Sequence, residues 1–302
     1  MSQWARWKTH NMETMIWLPP VAALVISFFT SMAGISGAFL LLPLQMSVLG
    51  FTSPAVSATN LVFNLIATPA SVYRYWREKR IIWPLALLVV AGTAPGVIIG
   101  CFVRLSYLPD PRRFKAFVGV VLLWIGFRLV LDIWKGRGKA TPPAQAKEWS
   151  ARTLQFNSSR LVFEFQEQKY HCKPVGVLVL SVVVGLIGGI YGIGGAAIIA
   201  PFLVAIYGLP VYTIAGATLL GTLVTSIVGV SFYQLIAPVY QSSGMMVAPN
   251  WTMGLSFGVG GMAGMYLGAR TQRFIPAIFL KAMLALIMLG IAVPYLLGFL
   301  RP

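Results

Sequence analysis

The sequence predicts an all-α polytopic membrane protein. It reads as two internally repeated helical halves with glycine-broken helices, plus a small extramembranous β-hairpin segment between them. Three observations predict this. Of the 302 residues 58% are hydrophobic and only 10% charged, with mean hydropathy +0.80, whereas a soluble domain carries roughly 25% charged residues. Apolar stretches near the about 20 residues needed to cross a bilayer recur along the chain. Glycines cluster inside those stretches, where each costs about 1 kcal/mol against alanine in a helix.

The apolar stretches are 15–33, 54–73, 82–103, 116–131, 211–236, 251–269 and 282–299. "SMA" at 31–33 has the look of a signal cleavage site, but its surroundings reappear in the second half, which argues against a removed leader. Shifting the chain by 158 residues pairs "GISGAFLLLPLQMSVLG" (34–50) with "GIGGAAIIAPFLVAIYG" (192–208). At the same shift Asn64 meets Thr222, Thr68 meets Ser226 and Tyr75 meets Tyr233. A shift of 168 superimposes the ladders Gly92/Gly96/Gly100 and Gly260/Gly264/Gly268, and "FKAFVGVVLL" echoes "LKAMLALIML". Four matched features in one order read as a duplication. Each ladder places small residues on one helix face, the pattern of close helix packing.

The predicted organisation is therefore a first transmembrane repeat (1–134), a polar linker with short strands (135–173) and a second repeat (174–302). In the linker, "TLQFNSSRLVFEFQEQKYHCK" alternates apolar and polar residues, with turns expected at 157–159 and 166–168. The stretch 174–207 would be about 50 Å long as one helix, well beyond a bilayer core of about 30 Å. A broken hairpin and inverted repeats are thus expected, although counting each stretch as one pass gives parallel repeats with as many basic residues inside.

The net charge of +16 sits at the ends of apolar segments, in Arg74/Arg77/Lys79/Arg80 and Lys135/Arg137/Lys139. That is a membrane pattern with attraction to anionic lipid, and no nucleic-acid partner is expected. Cys101 and Cys172 are isolated, without a CxxC, and read as ordinary thiols. The seven acids avoid the middles of the apolar spans, so an interior carboxylate for cation transport is missing. Asp132 is expected to pair with Arg128, four residues before it. His10 and His171 lie outside the spans, so no metal, no cofactor and no nucleophile–base pair is expected.

Within "GGIYGIGGAA" five glycines fall in eight residues. A helix that starts there presents unpaired backbone N–H groups and the positive end of its dipole, which together favour an anion. At membrane depth such backbone is tolerated only where buried in protein or lining a wet cavity. A plain tight turn is the competing reading. Asn60, Asn64 and Thr68 form a stripe at i, i+4, i+8, as do Thr218, Thr222 and Ser226. The candidate substrate site is therefore a cradle of Gly34, Ser36, Gly37, Gly192, Gly194 and Gly195, with side-chain donors from Asn60, Asn64, Thr218, Thr222 and Ser226.

With the paired "GISGAFLLLP" and "GIGGAAIIAPFL", "SATNLVFN", "AGATLLGT", "YRYWREKRI" and the two ladders, nearly the whole chain resembles the TauE/SafE family, the sulfite exporter type of membrane permease. The resemblance implies multi-pass residence in the cell inner membrane. It also implies secondary transport, with export expected, of small sulfur-containing anions such as sulfite, sulfoacetate or related organosulfonates. The partners expected are a small anionic substrate, the lipid bilayer and, through the ladders, a possible homo-oligomer. Ser36 stands where the second half has Gly194, so the two half-sites are expected to be unequal. The alternative is a non-transporting membrane scaffold or sensor acting through the 152–173 hairpin.

Overall fold

In the computed structural model residues 17–32, 35–134, 151–165, 167–242 and 244–300 are described. Gly34 and the linker residues 135–150 therefore lie outside the described residues. The helices are α1 (Leu18–Met32), α2 (Ala38–Ser47), α3 (Ala55–Arg77), α4 (Trp83–Ser106) and α5 (Pro111–Trp134). After strands β1 (Ala151–Phe156), β2 (Leu161–Phe165) and β3 (Gln168–Cys172) come α6 (Pro174–Tyr191), α7 (Ile199–Tyr207), α8 (Val211–Gln241), α9 (Trp251–Thr271) and α10 (Ala277–Leu300).

Among the described residues α3, α4, α5, α6, α8 and α10 contain windows long and apolar enough to cross a membrane. The chain is a multi-pass membrane protein. Proline opens α4 and α6 at their first turns, where its missing N–H costs nothing. Asn250 caps α9 through its side chain, which accepts from Met253 N at 3.1 Å. Left-handed glycines end α6 (Gly192, φ +80°) and α7 (Gly208, φ +66°), a conformation that favours glycine.

The ladders explain the tightest packing. Built at Gly92, Gly96 and Gly100 of α4, a Cβ would strike the backbone of α6 at Leu178, Val182 and Leu186. At Gly260, Gly264 and Gly268 of α9 it would strike the carbonyls of Pro20, Leu24 and Phe28 on α1. Both ladders thus pack inside one chain, each on a helix from the other half of the sequence. The ascending numbers in both contacts mean that α4 runs parallel to α6, and α9 to α1. In contrast, Gly216 lies on Tyr75 and Gly229 on Leu61, so α3 and α8 cross the centre antiparallel.

The 174–207 stretch is broken as its length requires. The helix stops at Tyr191 and α7 doubles back until the Tyr207 hydroxyl lies over Gly176. The first stretch divides likewise into α1 and α2. At 15 and 10 residues these reach about 22 and 15 Å, short of a membrane crossing.

The polar segment forms short strands as expected, a three-stranded antiparallel sheet in the order β1-β2-β3. The expected turns fall between the strands, and Glu167 adopts φ +62°. Alternate β2 residues Leu161, Phe163 and Phe165 are buried, as the two-residue period of a strand dictates. Leu161 and Phe163 join the core made by the helices. Ala151 N donates to Lys79 O at 3.1 Å, which seats the sheet at the α3–α4 turn. Cys172 is buried at this junction, and burial pushes its thiol up to about 11.

Candidate functional site

The two helix breaks meet on α3. Asn60 and Asn64 are fully buried on one face of it, and a buried amide without partners costs about 1–3 kcal/mol. Asn60 satisfies its amide by donating to Ala38 O and to Gly192 O, both at 2.9 Å. One side chain thus ties the start of α2 to the end of α6. Its carbonyl accepts from Gln45 Nε2 of α2 at 3.2 Å. Asn64 donates to Ile193 O at 2.7 Å and accepts from the Ser36 hydroxyl. The Ser36 oxygen in turn accepts from Ala38 N at 3.2 Å, which caps α2. Tyr191 adds a second cross-link, donating to Phe39 O at 3.0 Å.

On the other side of the breaks stands α8. Gly194 has φ +81°, and a Cβ there would lie 3.0 Å from both Ser226 Oγ and Thr222 Cγ2. Gly195 N donates to Thr225 Oγ1 at 3.0 Å. The hydroxyls of Thr218 and Thr222 donate back to their own helix, at Ala215 O and Thr218 O, the usual arrangement for these residues inside helices. Ser226 Oγ is buried without a partner, and so is Thr68 Oγ1 on α3. Asn64 is the tenth of 23 residues in α3 and Ser226 the sixteenth of 31 in α8, so the seam lies near mid-depth.

The structure therefore gathers Ser36, Asn60, Asn64, Gly192, Gly194, Gly195, Thr222 and Ser226 around the breaks. Gly37 lies one layer out, against Ser27 and Phe63. Thr218 sits a turn further along α8, and Gly34 lies outside the described residues. The residues missed in the sequence are Gln45, Tyr191, Thr225, Ser57 and Arg104. Gln45 and Tyr191 are polar groups inside apolar stretches, which was a usable signal.

Arg104 adds an interior charge that the sequence reading did not place there. It is fully buried, and its Nε donates to Ser57 Oγ at 3.4 Å. Ser57 Oγ donates to Tyr191 O at 3.4 Å, and its Cα stands 2.5 Å from where a Cβ on Gly192 would be. A positive charge thus abuts the second break. Its signal was the ladder itself: Arg104 continues Gly92/Gly96/Gly100 by one more step of four, onto the buried face. The expected Asp132–Arg128 pair is not formed; Asp132 is buried with Oδ1 unpartnered.

What the arrangement offers chemically, among the described residues, is a seam of amides, hydroxyls and one guanidinium, without a carboxylate. The family model described as "Sulfite exporter TauE/SafE" matches residues 20–295. A probable membrane transporter protein of Bacillus subtilis (strain 168), YunE, is 25% identical over 198 residues, 63% of this chain and 67% of that protein. A probable membrane transporter protein of Xylella fastidiosa (strain Temecula1 / ATCC 700964) is 24% identical over 252 residues, 81% of this chain and 80% of its own length. No solved structure matches the chain. With a family model covering nearly all of its length and helices that fit a bilayer, the chain belongs to the TauE/SafE family of membrane transporters.

Proposed function

We propose that this transporter is a secondary exporter of small sulfur-containing anions, such as sulfite or an organosulfonate. In this reading the anion binds at mid-depth between two broken hairpins, α1–α2 and α6–α7, that belong to inverted repeats. The observation that carries it is the Asn60 amide, shared at 2.9 Å between Ala38 O of one break and Gly192 O of the other. Any motion of one hairpin against the other has to break that clasp. Separation would free the Asn60 and Asn64 N–H donors beside the Ser226 and Thr68 hydroxyls, which already lack partners. Neutral donors then offset part of an anion's lost hydration, and rocking of one repeat around a fixed midplane site exposes it to either side. The antiparallel crossing of α3 and α8, and the exchange of ladders between the halves, support the inverted arrangement.

Among the described residues the sheet end of the molecule carries Arg74, Arg77, Lys79, Arg80, Arg152, Arg160, Lys169, Lys173 and Arg270, against Arg104, Arg112, Arg113 and Lys115 at the opposite end. By the positive-inside rule the sheet faces the cytoplasm of a cell inner membrane. The test is efflux from proteoliposomes loaded with sulfite, thiosulfate, sulfoacetate, sulfate or chloride. Saturable efflux of a sulfur anion, lost in Gly194→Val while the protein stays in the membrane, is expected. No efflux of any sulfur anion overturns the reading, and non-saturating flux of every anion makes the protein a channel.

A further inference from the structure

The fourth rungs of the two glycine ladders are Arg104 on α4 and Gln272 just after α9, both buried. Each faces a buried tyrosine, Tyr233 for Arg104 and Tyr75 for Gln272. At the sheet end the Gln272 cluster is closed. Gln272 Oε1 accepts from Tyr75 Oη at 3.0 Å and from Arg80 Nη2 at 2.9 Å, and its Nε2 donates to Met32 O at 2.7 Å. Arg80 is balanced by Glu78 at 3.0 Å.

The Arg104 cluster, at the opposite end, is open. Its Nε meets Ser57 Oγ at 3.4 Å and its Nη1 donates to Leu108 O, but Nη2 is buried without a partner. The Phe114 ring covers the guanidinium at 3.7 Å, which fixes its plane. Tyr233 lies beside Ser57, Cys101 and Arg104, and its buried hydroxyl has neither of the first two within good hydrogen-bond geometry. Among the described residues no carboxylate pairs with Arg104; Asp110 is half exposed and reaches Arg113 at 4.0 Å. The position that matches Arg80 at the 158-residue shift is Pro238, which lines a cleft of about 370 Å³ with Ala55, Ala237 and Val247. Ala55 precedes Ser57 by two residues, and Ala237 follows Tyr233 by one helical turn.

A buried guanidinium without a counter-charge costs several kcal/mol, and a forked donor set is suited to an oxyanion. We propose that Arg104, with Ser57 and Tyr233, is an anion-binding subsite between the central break and the outer cleft, through which the transported oxyanion passes on release. The subsite rests on the anion-transport reading above and adds a residue-level charge to it. The Tyr233 hydroxyl and Arg104 Nη2 donate to the anion, and Ser57 links the subsite to the break at Tyr191 and Gly192.

The test is calorimetric titration of sulfite into the purified full chain in detergent, for the wild type, Arg104→Gln, Arg104→Lys and Tyr233→Phe. Expected are at least a tenfold loss of affinity in Arg104→Gln, a smaller loss in Arg104→Lys, and about a fivefold loss in Tyr233→Phe at unchanged melting temperature. Should Arg104→Gln fail to fold, Tyr233→Phe decides, because it removes only a hydroxyl that no neighbour engages in good hydrogen-bond geometry. Sulfite affinity within twofold of the wild type in Tyr233→Phe, or a parallel loss of melting temperature, overturns the subsite and leaves the transport reading standing. A wild type that binds neither sulfite, thiosulfate nor sulfoacetate overturns the reading itself, and the subsite with it.

Discussion

The two breaks reach similar results by different means. The described part of the first break uses side-chain chemistry: Ser36 caps Ala38 N and reaches Asn64, while Gly37 keeps an ordinary right-handed conformation at φ −58°. The second has no hydroxyl within its glycine run, 192–195. It turns on left-handed backbone, with Gly192 at φ +80° and Gly194 at +81°, and side chains of other helices hold it from outside. The exchange of Ser36 for Gly194 is therefore a change of mechanism. A break held by a side chain tolerates change in its backbone, whereas one held by left-handed glycines tolerates almost none.

The largest effect should come from testing that contrast directly. Gly192→Ala forces a side chain into the left-handed region, at about 1–2 kcal/mol, and drives its Cβ to 2.5 Å from Ser57 Cα. With overpacking added, a loss of about 2–5 kcal/mol is expected, enough to deplete folded protein in size-exclusion chromatography. Gly37→Ala meets mainly Ser27, whose hydroxyl has no partner and is free to turn away. Its expected cost is about 1 kcal/mol. Equal melting temperatures for the two variants would break the comparison.

Next in size is Asn60→Leu. It leaves Ala38 O, Gly192 O and Gln45 Nε2 without their partner, and an orphaned buried polar group costs about 1–3 kcal/mol. Asn64→Leu orphans only Ile193 O and the Ser36 hydroxyl. Thermal unfolding in detergent should therefore rank Asn60→Leu below Asn64→Leu, by about 1 kcal/mol. The reverse order would mean that the first break, through Ser36, carries more of the junction than the Asn60 clasp.

Much of this was legible in the sequence because each signal was periodic. The apolar stretches became helices, and both ladders face a neighbouring backbone, since a small residue every four positions has one physical use in an apolar helix. The alternation in 153–173, with its two turn signals, became the three strands. The asparagines were readable as buried and polar, yet not as donors already committed to carbonyls across the breaks. That pairing depends on α3 meeting residues more than 120 positions away. Arg104 was not singled out in the sequence because its apolar stretch ends at 103. Its burial follows from the helix face it shares with the ladder, a three-dimensional fact that composition at a helix end conceals.

The smallest effect on stability, and the sharpest on function, belongs to Ser226. Its hydroxyl is buried against Gly194 and bonds nothing, so Ser226→Ala removes a desolvated group and no interaction. Stability should stay level or rise by up to about 1 kcal/mol. The same hydroxyl is an uncommitted donor beside the second break, so sulfite efflux from proteoliposomes should fall several-fold. Thr68→Val is the matched change on α3, where the hydroxyl is equally unpartnered. If both variants lose efflux while keeping their melting temperatures, the two dissimilar breaks share one binding function. If only Ser226→Ala does, the glycine-built break alone touches the anion, and the Ser36 break serves as its support. Unchanged efflux in both would reduce the unpartnered hydroxyls to packing and remove them from the transport path.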